Sequence, residues 1–222
     1  SLAAAQAAWV NEVYTWSRAR TQGRFLVCPT PYCARMVAAR HGGEGYLEIL
    51  GLGLHSDIDI FWTGPEIISE TLDVEPIARL TEILRRPPLI WDNLFANDYD
   101  GRRFFCGPYA GRPLELKQAV RGILLNPNTE FPLNFVPIHS FGAYLAADSV
   151  WDSRASFLEG LKAWWPRFAS VGAPLSFDDL VTFADCFYLP YQEGPEADAL
   201  AHAIARCLSS PRPPVDPESL AV

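Results

Sequence analysis

Four short runs rich in β-branched and aromatic side chains recur along the chain at a nearly constant interval: Phe25 to Cys28, Ile58 to Trp62, Leu89 to Trp91, and Ile123 to Leu125. Their starts lie 33, 31 and 34 residues apart, the length of one strand, one helix and two connections. Helical patterns fill the gaps. Val74, Ile77, Leu80, Ile83 and Leu84 share one helical face, and Pro87-Pro88 ends that pattern just before the next run. The runs read as parallel strands buried on both faces, so the spacing predicts an α/β chain of four successive βα units.

Polar or conformationally special residues follow each run: CPTPY, WTGP, WDN with ANDYD, and NPN. A doubly wound sheet and an eight-stranded barrel both allow four such units, but polar residues gathered after the strands favour the barrel, whose chemistry is built at that edge. With four strands where a complete barrel has eight, the expected fold is the C-terminal half of a (β/α)8 TIM barrel followed by a helical segment. Ser1 to Trp16, alanine-rich with Trp9, Val13 and Trp16 on one stripe, reads as the helix preceding the first strand. Beyond the fourth strand, helices are expected over Phe135 to Leu145, Arg154 to Phe168 and Glu196 to Leu208. A further helix is capped at Ser176 and runs through Leu180, Phe183 and Phe187. The expected organisation is a half-barrel over residues 1–170, a turn-rich break near Gly172 to Ser176, and a helical segment over 174–208. Residues 209–222 hold four of the 19 prolines and read as a linker or tail.

Composition narrows the function classes. A hydrophobic share of 49% supports a full core, and 26 acidic against 18 basic residues give a net charge of -8 without a basic stripe, which argues against nucleic acid. No apolar run approaches the roughly 20 residues of a membrane span. Five cysteines, an odd number without a C-x-x-C pair, favour a reducing, cytoplasmic setting over a disulfide framework. Cys28 and Cys33 read as two small buried hydrophobes flanking a bend, because no second Cys/His cluster completes a zinc site.

The densest set of hydrogen-bonding side chains is WDNLFANDYD, Trp91 to Asp100. Carboxylates and amides suit sugar hydroxyls, which both donate and accept, and an indole supplies an apolar wall. A capped polar loop is the plain alternative. A calcium loop fits poorly, since Leu94 and Arg102 fall where oxygen ligands are needed. Asp57 and Asp59 open a strand and so belong to the stability face. His139, on an apolar helix, reads as a satisfied core histidine. His41, His55 and His202 lack acidic or thiol companions, and no serine elbow or phosphate loop is present. No cofactor or metal is expected.

The succession CPTPYC, DIDIFWTGP, PPLIWDNLFANDYDGRRFFCGPYAGR, GILLNPNTEF and NFVPIHS resembles the C-terminal half of the catalytic barrel of the family 84 glycoside hydrolases, over roughly residues 1–168. CFYLPYQEGP resembles the region that follows this barrel in the O-GlcNAcase branch. The resemblance implies a retaining β-N-acetylglucosaminidase that removes N-acetylglucosamine from Ser or Thr of glycoproteins, with the substrate's own acetamido oxygen as nucleophile. Carried over, Tyr32 bonds the acetamido carbonyl, while Thr63 and Trp91 shape the acetamido pocket. Asn93 sits near the scissile oxygen, Asp98 and Asn126 hold the outer ring hydroxyls, and Asp92 supports the loop by its backbone or from behind. The family's aspartate pair is expected upstream of Ser1, so no catalytic residue is assigned here; Asp178-Asp179 opens a helix beyond the barrel and cannot replace it. Three expectations follow: a fragment or split piece of the enzyme that pairs with an N-terminal half-barrel, a truncated homologue that only binds sugar, or an interaction scaffold. Unpaired strand edges lead to the further expectation of a homodimer or aggregate.

Overall fold

The structure is a computed structural model that describes residues 1–169 and 175–209. The turn-rich break around Gly172 therefore lies largely outside the described residues, as does the proline-rich tail beyond Ser209.

Four strands form one sheet in chain order: β1 (Phe25–Val27), β2 (Ile58–Trp62), β3 (Leu89–Asp92) and β4 (Gly122–Leu125). All three pairings are parallel, with Val27 beside Ile60, Trp62 beside Ile90 and Asp92 beside Leu125. The sheet is open, since β1 and β4 each pair with one neighbour. Parallel order forces every connection to cross from one end of the sheet to the other, so all four strand ends point the same way.

Helix α1 (Leu2–Arg18) precedes the sheet as the sequence implies, but its packing face is different. Ala3, Ala7, Val10 and Tyr14 are buried, whereas Trp9 and Trp16 are 65% and 60% exposed. The physical reason is close approach. A Cβ built on Gly53 would lie 2.9 Å from the Ala7 methyl, a separation that only small residues permit.

The first crossover contains α2 (Ala34–Ala38) and α3 (Tyr46–Gly53), and the second contains α4 (Val74–Leu84) with Ile77, Leu80 and Leu84 buried. Arg86, just past α4, donates to the carbonyls of Gly51, Leu54, His55 and Ile58 and so staples the α3–β2 connection. The third crossover departs from the regular pattern: a long loop follows β3, and only α5 (Leu116–Ala119) is helical. Gly101, Gly107, Pro108, Gly111 and Pro113 interrupt any helical period there.

After β4 come a 3-10 turn (Phe131–Asn134), α6 (Phe135–Ala146), α7 (Ser153–Trp164) and the short α8 (Pro166–Ala169). Pro166 divides what the sequence suggested as one helix, because it lacks the N–H that would continue α7. Helix α9 (Phe177–Asp185) opens with the expected Ser176 cap, completed by Asp179 as a capping box. It stops at Asp185, short of Phe187. Helix α10 (Ala197–Ser209) ends the described chain.

The main core lies between the sheet and α1, α3 and α4, built on Ile58, Ile60, Trp62, Leu72 and Ile90. A second joins α6, α7 and α9 through Val136, Phe157, Leu161, Leu180 and Ala184, so the helical segment packs directly on the helices after β4. The third lies beneath the long loop, where Leu94, Phe95, Phe105, Tyr109 and Tyr144 are all buried. At the N-terminal side of the sheet, Asp59 pairs with Arg24 at 2.7 Å and Arg121 at 3.3 Å, in keeping with a structural role. Asp57 accepts a 3.3 Å hydrogen bond from Tyr14 on the same side.

Candidate functional site

The parallel register brings Cys28 and Tyr32 after β1, Thr63 after β2, Trp91 and Asn93 at the end of β3, and Asn126 after β4 to one edge of the sheet. Cys28, Tyr32, Phe61, Thr63, Trp91 and Asn93 line a cavity of about 280 Å³ there. Four of the seven sequence-predicted residues thus share one wall. Phe61 and Trp91 meet edge to face, ring centroids 5.1 Å apart at 82°, which leaves the indole 40% exposed as an upright apolar surface.

Asn93 organises this wall. Its Oδ1 accepts from the Trp91 indole N–H and from the Asn126 amide, both at 2.9 Å, while its Nδ2 donates to the Ile67 carbonyl at 2.8 Å. The Asn126 backbone N–H in turn donates to the Asp92 carbonyl at 2.8 Å. Asn126 therefore reaches the wall through Asn93 and does not line the cavity itself.

Thr63 is buried, with its hydroxyl donating to the Glu66 carbonyl at 2.7 Å and its N–H to the Tyr32 carbonyl at 2.9 Å. The Tyr32 hydroxyl makes no hydrogen bond among the described residues, so it is available to a ligand. Gly64 lets the chain turn away under this wall. Its φ is +110°, and a Cβ would lie 2.4 Å from the Ser69 hydroxyl that donates to the Thr63 carbonyl at 2.8 Å.

Asp92 points away from the cavity. It is 1% exposed, paired with Arg112 and bonded by the Tyr109 hydroxyl at 2.7 Å. Asp98 stands outside the cavity wall, in the loop past β3, exposed and without a hydrogen bond or ion pair among the described residues. Its loop is held from below: Asn97 donates to the Arg103 carbonyl and to Glu130 at 2.8 and 2.7 Å, and accepts from Thr129.

Two cysteine and histidine expectations need correction. Cys33 is fully buried as expected, but Cys28 is exposed at the cavity, because the residue just past β1 leaves the helix-covered face; burial of its sulfur still raises the thiol pKa. His139 is half-buried, and its buried Nδ1 has no hydrogen-bond partner among the described residues, since α7 approaches it with Gly160, which carries no side-chain acceptor. Asp178 and Asp179 are at the helix start, with Asp179 committed to the capping box.

Phe61 lines the cavity unannounced by any polar motif; strand alternation, which places it on the face opposite Ile60 and Trp62, was the available signal. Tyr109, Arg112 and Glu130 support it from far along the chain and left no local signal. The cavity wall offers phenol, hydroxyl, thiol, amide and indole groups but no carboxylate or imidazole, a set suited to binding and orienting an uncharged polar ligand. Among the described residues no group of three or more His, Cys, Asp or Glu side chains is placed to hold a metal ion.

Residues 1–176 match the family model for β-N-acetylglucosaminidase. The Protein O-GlcNAcase of Mus musculus and that of Rattus norvegicus are each 41% identical to this chain over 144 residues, covering 65% of it. The chain spans only 16% of the length of these relatives. Among solved structures, a mutant of the Thermobaculum terrenum O-GlcNAc hydrolase matches with a TM-score of 0.65 at 30% identity, over 73% of this chain and 34% of that one. CpGH84B matches with a TM-score of 0.71 over 92% of this chain and 35% of its own, and at 18% identity bears on the fold alone. With the strand-end residues and the loop after β3 in the matched region, the chain belongs to the β-N-acetylglucosaminidase family.

Proposed function

We propose that this chain forms one wall of the sugar site of a retaining β-N-acetylglucosaminidase that removes O-linked N-acetylglucosamine from Ser or Thr of glycoproteins. The observation that carries this reading is the convergence of Tyr32, Thr63, Trp91 and Asn93 on one cavity at the strand ends. Tyr32 donates to the acetamido carbonyl, the Phe61–Trp91 corner and Thr63 enclose the acetamido methyl, and Asn93, with Asn126 behind it, presents its amide to the polar ring edge. Asp98, whose carboxylate has no hydrogen bond or ion pair among the described residues, takes two ring hydroxyls as an acceptor. Substrate assistance suits such a wall, because the nucleophile comes with the sugar and the protein need only hold it folded over the anomeric carbon. The aspartates that polarise the acetamido group and protonate the leaving oxygen come, in this reading, from elsewhere in the protein.

The same proposal includes the fold: the four strands are one half of a (β/α)8 barrel. Its support is the distribution of exposed apolar side chains. On α1, Leu2, Trp9 and Trp16 recur every seven residues at 49%, 65% and 60% exposure. On the segment after β4, Phe131, Ile138 and Leu145 do the same at 82%, 49% and 48%. A seven-residue stripe is the seam along which helices pack. The helices that carry them touch the edge strands, α1 through Tyr14 on Phe25 of β1 and α6 through Phe141 and Tyr144 in one cluster with Ile123 and Leu125 of β4, and these are the edges where the other half of a barrel would dock.

The test is selectivity of binding. N-acetylglucosamine titrated into the protein and followed by NMR should bind at least tenfold tighter than glucose, and Trp91→Ala should erase the difference. Equal affinity for the two sugars would remove the acetamido pocket from the account.

A further inference from the structure

Beyond α9 the chain folds into a tight turn, with Leu189 and Gln192 bridged, and this turn is applied to the loops behind the sugar wall. Four contacts hold it there. The Cys106 N–H donates to the Phe187 carbonyl at 2.6 Å, and Arg103 donates to the Pro190 carbonyl at 3.2 Å. Gly107 lies so close that a Cβ on it would sit 2.0 Å from the Tyr188 carbonyl oxygen. At the tip, the Tyr191 hydroxyl donates to the carbonyl of Ile68, 123 residues earlier in the chain. The base of the turn is fixed independently, because buried Asp185 accepts from Arg154 and from the Glu196 N–H.

The Ile68 carbonyl is adjacent to the Ile67 carbonyl, which receives the Asn93 side-chain amide. That bond decides which way the Asn93 amide faces. With Nδ2 committed to Ile67, Oδ1 is left for the Trp91 indole and for Asn126. An amide rotated by half a turn would set N–H against N–H at both contacts. The position of a single peptide segment therefore orients three sugar-wall side chains, and its outer carbonyl is tied down by Tyr191.

We infer that Tyr191 is a positioning residue for the sugar site, acting through the Ile67–Ile68 segment on the orientation of Asn93, Trp91 and Asn126. The inference rests on the proposed sugar wall and adds a role for the segment after the barrel strands. Burial pushes the Tyr191 hydroxyl up to about 12, so it remains a donor throughout the working pH range of proteins.

Four variants of the full chain separate the possibilities. In Tyr191→Phe only the donor is lost; Ser176→Ala weakens the cap of α9 in the same segment without touching Ile68. Asn93→Ala and Trp91→Ala test the sugar wall itself. N-acetylglucosamine affinity is measured by NMR, together with the chemical shift and solvent exchange of the Trp91 indole N–H. Tyr191→Phe is expected to weaken binding about 3- to 10-fold, the span of one neutral hydrogen bond, and to shift the Trp91 indole signal and speed its exchange. Ser176→Ala should change neither. Tyr191→Phe with unchanged affinity and an unmoved indole signal, while Asn93→Ala and Trp91→Ala lose binding, overturns the positioning role alone. An equal indole response in Ser176→Ala overturns it too, by reducing the effect to general loosening of the segment. If Asn93→Ala and Trp91→Ala bind like the parent protein, the sugar wall is wrong and the inference falls with it.

Discussion

The Asp92 carboxylate meets the Arg112 guanidinium in a two-pronged ion pair sealed from water, Nη2 to Oδ1 at 2.7 Å and Nε to Oδ2 at 2.8 Å. The remaining Arg112 donors reach the carbonyls of Ser69, Glu70 and Ala110, so the last residue of β3 is tied to both loops behind the sugar wall. Every donor of the fork is used, which is the condition under which a buried pair repays its desolvation. Asp92→Asn leaves an uncompensated buried cation, and the expected loss is about 3–5 kcal/mol of unfolding free energy. Arg112→Lys keeps the charge but not the planar fork, and should rescue little. Urea unfolding measures both; a loss under about 1 kcal/mol for Asp92→Asn would show the pair to be replaceable.

Asp98 is the complementary case. It contributes nothing visible to the fold, so Asp98→Ala should leave stability within about 0.5 kcal/mol. Its proposed acceptance of two hydroxyls implies a binding loss of about 1.5–3 kcal/mol per charged hydrogen bond, or roughly 10- to 150-fold. Asp57→Ala, at the opposite end of the sheet, should lower stability modestly through the lost Tyr14 contact and leave sugar affinity unchanged. Equal damage to binding from both substitutions, in folded protein, would reverse the assigned strand direction.

The acid limb of stability should carry a signature of Glu130. Its carboxyl is held below the ordinary value of 4.5 chiefly by the Asn97 amide, so the folded state binds fewer protons there than the unfolded chain. The contribution is fully present above about pH 4.5 and is lost as pH falls through the lowered folded value. Glu130→Gln cannot titrate. Its stability deficit relative to the parent should therefore be largest near neutral pH and shrink in steps below 4.5, as read from urea midpoints. A deficit that is constant or grows on acidification contradicts the assignment.

Residues close in sequence were legible, and residues that act at a distance were not. The four strands were readable as runs of β-branched and aromatic residues, although Leu26, Trp91 and Leu124 leave one face of the sheet exposed where two buried faces were expected; Tyr32, Thr63 and Asn93 were named from the family resemblance, and the sheet edge brings them beside Trp91. The α1 stripe misled for a related reason: tryptophans at seven-residue spacing look like a core face, yet the alanines opposite them pack more closely and win the sheet-covering side. Arg112, Glu130 and Tyr191 could not be found by spacing, since they reach Asp92, Asn97 and Ile68 across 20, 33 and 123 residues. Such contacts depend on how loops close, and hydrophobic period does not encode that.

The exposed stripes give the last expectation. Burying Trp9 and Trp16 of one helix or Ile138 and Leu145 of the other removes apolar surface worth about 25 cal/mol per Å², and the open edges of β1 and β4 offer unpaired backbone groups beside them. A chain presenting both should self-associate when nothing else covers these faces. Sedimentation across a concentration series is expected to show species larger than a monomer, and the double substitution Trp9→Glu with Ile138→Glu should shift the distribution toward monomer by placing a charge on each stripe. Both positions are exposed, so the variant should keep its secondary structure, which circular dichroism verifies. A parent chain that remains monomeric at every concentration, with sharp cooperative unfolding, would show that the stripes are tolerated surface and would remove the main support for the half-barrel.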